Sequence, residues 1–299
     1  MPGPHEMSCE VRETPLRRTD FWWIILYQKA KCIIYNGKPI SRSTRASEPP
    51  LLNRLNKTDN SGIYNCGYMN PFDLAILSFL NRFAHRSPTF DEAVLLVSAN
   101  TLLKGGVVVA IIWWIWFQQE DNQEKRESVL VAIVAGFLGL TMSRILSWTI
   151  FRARPLNEPQ LSFQLPYGSV PAGFEGASSF PSDHAVLFFA LAAGLFLASR
   201  RVGSLALIYV SLVICLPRVY LGVHYPTDIL AGAAIGIALA GVLDLPAIRK
   251  PITACAFRWM DSAPGTFYAC FFLLTYQIAD LFNPLRQIGG FFIGLYRSS

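Results

Sequence analysis

Beyond about position 90 the chain is a succession of apolar runs, at about 93–117, 128–150, 185–199, 202–217, 228–248 and 265–282, parted by short polar stretches such as QQEDNQEKRE. Most approach the roughly 20 residues needed to cross a bilayer core, and the third and fourth are shorter. Ahead of them, PFDLAILSFLNRFA (71–84) repeats apolar residues at helical spacing, with Asp73, Asn81 and Arg82 on its polar side. That spacing predicts an amphipathic helix lying in the membrane interface. The expected fold is therefore all-α: a polytopic membrane helix bundle of about six transmembrane helices, with an amphipathic helix before the first span.

The first 68 residues follow a different pattern. SRSTRASEPP and LNKTDNSG read as loop or disordered sequence, and FWWIILY (21–27) is too short to span. Its aromatics suit a membrane surface, and no small-residue cleavage site follows it. Asn56 with Thr58 matches a glycosylation acceptor, a short and weakly specific pattern. The division expected is a basic N-terminal extension over 1–68 and a membrane-embedded domain over 69–299. In an alternative reading the natural chain starts at Met69, which mass spectrometry of the native N-terminus tests.

Composition agrees with the hydropathy pattern: 52% of residues are hydrophobic and only 15% charged, against about 25% charged in soluble domains. The net charge of +6 is concentrated early, since residues 1–68 hold ten Lys and Arg against six Asp and Glu. They contain no nucleic-acid-binding motif, so the basic residues are assigned to topology and anionic lipid headgroups. The six cysteines form no C-x-x-C or Cys/His pattern, so neither a metal site nor a disulfide framework is expected. Threading six spans puts Lys125, Arg126, Arg200, Arg201, Arg249, Lys250 and Arg258 on one face, and Arg152, Arg154 and Arg218 on the other. The positive-inside rule makes the first face cytoplasmic.

The strongly polar groups of the outer face fall in two loops. One opens with FRARP (Arg152, Arg154, Pro155) and closes with PSDH (Pro181 to His184); the other reads PRVYLGVHYPTD, with Arg218, His224 and Asp228. Arginines bind phosphate oxygens in bidentate fashion. His224 and Asp228 stand four apart, on one face of a helical turn, where a carboxylate can hold Nδ1–H and leave Nε2 to attack. His184 lies at the start of an apolar helix, whose free N–H groups suit an anion. Each residue alone has a plainer reading as a cap or an interfacial anchor. Their gathering on one face points to acid–base or nucleophilic work on an anionic substrate.

RP at 154–155, PSDH at 181–184 and R-x5-H-x3-D at 218–228 resemble, in order and spacing, the three signature motifs of the type-2 phosphatidic acid phosphatase superfamily. MNPFDLAILSFLNRFAHRSPTFDEAV resembles the start of its undecaprenyl-diphosphate phosphatase branch. The resemblance implies a lipid phosphatase with His224 as nucleophile, forming a phosphohistidine, Asp228 orienting it, and His184 as general acid. It implies phosphate binding by Arg154, Arg218, the Ser182 hydroxyl and the Asp183 backbone N–H. It further implies a lipid-phosphate substrate, no metal or other cofactor, and a place in a bacterial inner membrane with the site on the periplasmic face.

Two positions depart from the family's pattern. The usual lysine seven residues before the motif arginine is Ser147, and Arg144, at i−3 from it, and Arg152 are the candidate substitutes. The serine before the second motif arginine is Pro217, expected to end the fourth span. Asp183 stands where glycine is frequent, and its carboxylate is expected to point away from the phosphate. Undecaprenyl diphosphate is the favoured substrate, with phosphatidic acid and phosphatidylglycerophosphate as competitors. A vanadate-dependent haloperoxidase fits the same motifs but not the spans. A non-catalytic lipid-binding protein has Ser147 as its support. A transporter would show charges buried in mid-span or paired broken helices, and Lys104 is the one such residue.

Overall fold

The computed structural model describes residues 70–118, 122–169 and 178–298, and its regular structure there is helical. The expectations for residues 1–68, among them FWWIILY, Asn56 and the start at Met69, lie outside these residues. Helix α1 (Pro71–Asn81) is capped by the Asn70 carboxamide, which accepts from Phe72 N–H at 3.0 Å. Helices α2 (Pro88–Ala99) and α3 (Val107–Trp116) replace the single first span, and they meet at a 62° bend. The Asn100 side chain causes the break by accepting from Leu103 N–H at 3.1 Å and so starting a new helix, whose first turn, Leu102–Gly106, is π-helical.

Helix α4 (Asn122–Thr149) is followed by the loop carrying FRARP, then by α5 (Asp183–Ala198). Helix α6 (Arg200–Tyr209) runs through a π-helical stretch, Val210–Cys215, into α7 (Leu216–Tyr220). Pro217 therefore does not end the fourth span: it comes just after the π-helical stretch, and the helix continues through it to Tyr220. Helix α8 (Pro226–Leu243) stops short of the expected 248, and α9 (Pro246–Ser262) occupies what the sequence suggested was a loop. The Arg249 guanidinium ties α9 to the bundle through Glu127 at 3.0 Å and Asp244 at 3.5 Å. Helix α10 (Pro264–Ala279) bends by 91° into α11 (Asn283–Ser298), with Leu281 and Phe282 in left-handed conformations at the corner.

Among the described residues three helices are long and apolar enough to cross a membrane (Gln123–Thr149, Arg200–Tyr220 and Pro226–Leu243), and counting each bent pair as one span gives five. Asp183–Ala198 is apolar but shorter. It is buried from Ala185 to Leu195, enclosed by α4, α6 and α8, as expected of a helix apolar on all sides. Small residues let its neighbours close in: a Cβ added at Gly236 of α8 would lie 2.4 Å from the Val186 carbonyl oxygen. The outer surface carries Leu102, Trp148 and Leu205, each more than two-thirds exposed. Apolar surface on that scale needs a non-aqueous surround, so this is an integral membrane protein.

Asp73, on the polar side of α1, faces the protein, not water. Asp73 is 1% exposed, whereas Phe72, Phe79 and Phe83 lie outside. The Asp73 carboxylate accepts from the backbone and hydroxyl of Thr227 at 2.9 and 2.6 Å, fixing α1 to the first turn of α8.

Candidate active site

Four segments converge at one end of α5: the loop after α4, the start of α5, α7 with the turn after it, and the start of α8. Gly222 makes that turn with φ +67, and a Cβ there would meet the Phe163 ring at 2.6 Å, so glycine is required on both counts. The turn is tied to the other motif loop by Leu156 N–H donating to the Gly222 carbonyl at 3.0 Å.

His224 is 5% exposed. Its Nδ1 lies 2.8 Å from the Ser179 carbonyl oxygen. A carbonyl only accepts, so Nδ1 carries the proton and Nε2 keeps its lone pair. Burial holds the His224 pKa well below 6.5, and Arg154 and Arg218 push it further down against the opposing Ser179 bond. The imidazole is neutral at neutral pH.

Asp228 does not bond His224 directly, because Oδ2 is 3.9 Å from Nδ1. The fully buried carboxylate instead accepts from the Ser179 hydroxyl, from Tyr225 N–H at 2.8 Å and from Arg152 Nη1 at 2.6 Å. It steadies Ser179, and the Ser179 carbonyl steadies His224. Ser178, whose hydroxyl accepts from the Arg152 N–H at 3.2 Å, and Ser179 were not singled out from the sequence. Nothing distinguishes them there from the other serines of a Ser- and Gly-rich loop.

Arg152 is a brace and not an open phosphate ligand. Its guanidinium bonds Asp228, Thr227 and Asp73 at 2.6–2.8 Å and lies 3.7 Å from the centre of the Tyr225 ring. Burial opposes its charge, yet Asp73 and Asp228 outweigh that and raise its pKa. Arg154 donates to the Val223 and Ser178 carbonyls at 3.0 and 3.3 Å. Burial, with a smaller push from Arg144, lowers its pKa to about 10, which leaves it charged at neutral pH.

Arg218 Nη2 donates to the Ser98 carbonyl at 2.7 Å and lies 3.0 Å from His184 Nε2. A guanidinium only donates, so His184 Nε2 is the acceptor in that bond. The Arg218 Nε has no partner among the described residues. Ser182 caps α5 and is fully buried, its Oγ 3.5 Å from the Ala185 N–H. The first-turn N–H groups it precedes, including that of Asp183, have no intrahelical acceptor.

The Asp183 carboxylate turns to α4, where it accepts from the Ser143 hydroxyl at 2.7 Å and pairs with Arg144. Arg144 thus reaches the mouth of the site with its charge shared. The Ser147 hydroxyl bonds back to the Arg144 carbonyl at 2.8 Å, so it takes over nothing from the lysine that the pattern leads one to expect. No three His, Cys, Asp or Glu side chains cluster for a metal among the described residues.

The segment holding all three motifs, residues 126–245, matches the family model of the PAP2 superfamily. Undecaprenyl-diphosphatase BcrC of Bacillus subtilis (strain 168) is 26% identical over 118 residues, covering 40% of this chain and 57% of that protein. Putative undecaprenyl-diphosphatase YbjG of Escherichia coli (strain K12) is 36% identical over 101 residues, 33% of this chain and 49% of that protein. Bacitracin transport permease protein BcrC of Bacillus licheniformis is 41% identical over 63 residues, 21% of this chain and 30% of that protein. The chain thus spans between about a third and somewhat over half of these relatives' lengths. No solved structure matches it. Helices α1 to α3 and α9 to α11 lie outside the matched segment and pack around it.

Proposed function

We propose that this protein is an integral membrane phosphatase that hydrolyses a lipid-linked phosphate or diphosphate through a phosphohistidine on His224, with residues 69–299 as the membrane-embedded domain. The observation that carries the reading is the His224 tautomer. A neutral imidazole, protonated at Nδ1 against the Ser179 carbonyl, presents the Nε2 lone pair beside Arg154 and Arg218. Undecaprenyl diphosphate is the favoured substrate because two relatives carry that activity in their names. Phosphatidic acid and phosphatidylglycerophosphate suit the same chemistry.

In the first step Nε2 attacks phosphorus, the bond from phosphorus to the leaving oxygen breaks, and His184 gives that oxygen a proton. Arg218 first moves from His184 Nε2 onto the phosphate, which frees that nitrogen to hold the proton it later donates. Arg154, Arg218, the Ser182 hydroxyl and the N–H groups at the start of α5 bind the phosphoryl oxygens. Water then attacks the phosphohistidine, His184 takes its proton, and inorganic phosphate leaves. Asp228 and Arg152 fix the geometry without touching substrate. The site lies on the outer, periplasmic face of a bacterial inner membrane, following the distribution of loop cations.

The test is phosphate release from undecaprenyl diphosphate and phosphatidic acid by purified protein in detergent with EDTA, comparing wild type with His224→Ala. Metal-independent release that the substitution abolishes is the expected result. Release that survives His224→Ala, or none from folded wild-type protein, would overturn the mechanism.

A further inference from the structure

The C-terminal helix brings a cation to the site that no motif contains. The corner between α10 and α11 is fixed by Phe282 N–H donating to the Gln277 carbonyl at 2.7 Å, and by the Phe282 ring 6.1 Å from that of Phe137 on α4. One turn further on, Arg286 N–H donates to the Phe282 carbonyl at 2.9 Å, which sets the start of α11. The Arg286 side chain lies within electrostatic range of Arg144, Asp183 and Asp280. His184 in turn lies within range of Arg286 and Lys104.

The carboxylates of this group are committed elsewhere. Asp183 pairs with Arg144, and Asp280 holds Lys104 at 3.0 Å. Arg286 is half-buried, and among the described residues its guanidinium makes no hydrogen bond or ion pair. A partly desolvated guanidinium beside another cation, without a carboxylate of its own, is unfavourable unless an anion joins it. Arg144 and Arg286 both lie within range of Asp183, in the first turn of α5 next to His184.

We propose that Arg286, together with Arg144, forms a subsite for the second phosphate of a lipid diphosphate, the phosphate that stays on the lipid when the terminal one is transferred. The proposal rests on the phosphatase reading above. It makes the C-terminal helix a specificity element: a lipid monophosphate fills only the Arg154–Arg218 position, and a diphosphate fills both.

Rates on undecaprenyl diphosphate and phosphatidic acid test this for wild type, Arg286→Gln and Arg286→Lys of the full chain. Arg286→Gln is expected to raise KM for the diphosphate at least 10-fold while kcat and the monophosphate KM stay within about 2-fold. Arg286→Lys should recover part of the loss. A diphosphate KM unchanged in Arg286→Gln, or equal losses on both lipids, would overturn the subsite. Thermal unfolding with inorganic pyrophosphate or orthophosphate gives an assay that needs no turnover. Pyrophosphate should raise the wild-type Tm more than orthophosphate does, and Arg286→Gln should erase the difference. Wild-type protein that hydrolyses neither lipid would defeat the phosphatase reading, whereas the Tm comparison would still decide whether Arg286 binds a diphosphate. Equal Tm shifts for wild type and Arg286→Gln would count against the subsite.

Discussion

Replacing Asp228 by asparagine keeps the volume and removes the charge, at the point where the bracing network converges. Oδ1 accepts from Arg152 at 2.6 Å, and Oδ2 accepts from Tyr225 N–H at 2.8 Å and from the Ser179 hydroxyl. An asparagine has one acceptor oxygen, so its NH2 must face one of these donors whichever way it turns. Either Arg152 loses a charge-assisted bond, or Ser179 and Tyr225 lose theirs. A charge-assisted bond contributes about 1.5–3 kcal/mol, and breaking a buried pair costs roughly 3–5. Arg152 keeps Asp73 at 2.6 Å, which softens the loss. We expect about 2–4 kcal/mol of destabilisation, or roughly 5–15 °C in Tm.

Catalysis should suffer more than stability, because Ser179 is the residue whose carbonyl fixes His224. An imidazole that loses its tautomer and orientation gives up about 100-fold or more in kcat. Ser179→Ala separates the two roles: it removes the hydroxyl that meets Asp228 but retains the carbonyl that meets His224. It should cost less than about 10-fold, since it removes one hydrogen bond and leaves Asp228 its other two. Steady-state phosphate release and detergent-phase unfolding of both variants provide the comparison. Asp228→Asn with wild-type kcat, or Ser179→Ala as damaged as Asp228→Asn, would refute the relay through the Ser179 carbonyl.

Gly236→Ala should lower Tm clearly, since its Cβ would lie 2.4 Å from the Val186 carbonyl oxygen, while Gly241→Ala, with nothing within 4 Å, should not; similar Tm values for both would contradict the packing described for α5 and α8. Lys104→Met should destabilise by stranding Asp280, and adding Asp280→Asn should restore much of the loss, so a double variant as unstable as the sum of the singles would contradict the buried pair. His224 has a folded-state pKa well below 6.5, through burial and then Arg154. The unfolded chain therefore takes up its proton first as pH falls. The stabilisation it gives is whole above about 6.5 and declines below that, by at most about 1.4 kcal/mol per pH unit. Tm measured from pH 7.5 to 5 should fall more steeply for wild type than for His224→Gln, and equal slopes would refute it.

The motifs were legible because each is local: His224 stands just before the Tyr225 cap of α8 and Asp228 in its first turn, and PSDH spans the cap and first turn of α5. Apolar periodicity likewise located α4, α5 and α8, with α4 starting earlier and α8 ending sooner than expected. What the sequence concealed depends on distant partners. Asp73 looked like the wet side of an amphipathic helix, although it is buried against Arg152, 79 positions later. Arg152 looked like a phosphate ligand for the same reason. The bend at Asn100 depends on one side-chain acceptor, and the corner at Leu281 and Phe282 on two left-handed residues that no glycine announces. Helix α9 was hidden by Pro251 and its charges, which read as loop until Arg249 is seen to meet Glu127 and Asp244.

The paired broken helices and buried charge expected of a transporter are present, in the two bent pairs and in Lys104 with Asp280. Their geometry argues for a scaffold serving the proposed phosphate site. The bend after α2 leaves Ser98 where its carbonyl takes Arg218, and the π-helical turn that follows receives the Tyr209 hydroxyl on the Leu103 carbonyl. Lys104 then fixes the corner of α11 through Asp280. The cations of this end of the bundle divide accordingly. Arg152 and Lys104 are matched by carboxylates and hold helices together, whereas Arg144 shares Asp183 and stays partly exposed. Arg218 is met by a carbonyl and an imidazole, and Arg286 by nothing described, so both keep positive charge unmatched. Guanidinium groups left unmatched in a low-dielectric surround favour completion by an anion, and the lipid phosphate proposed as substrate would supply that charge.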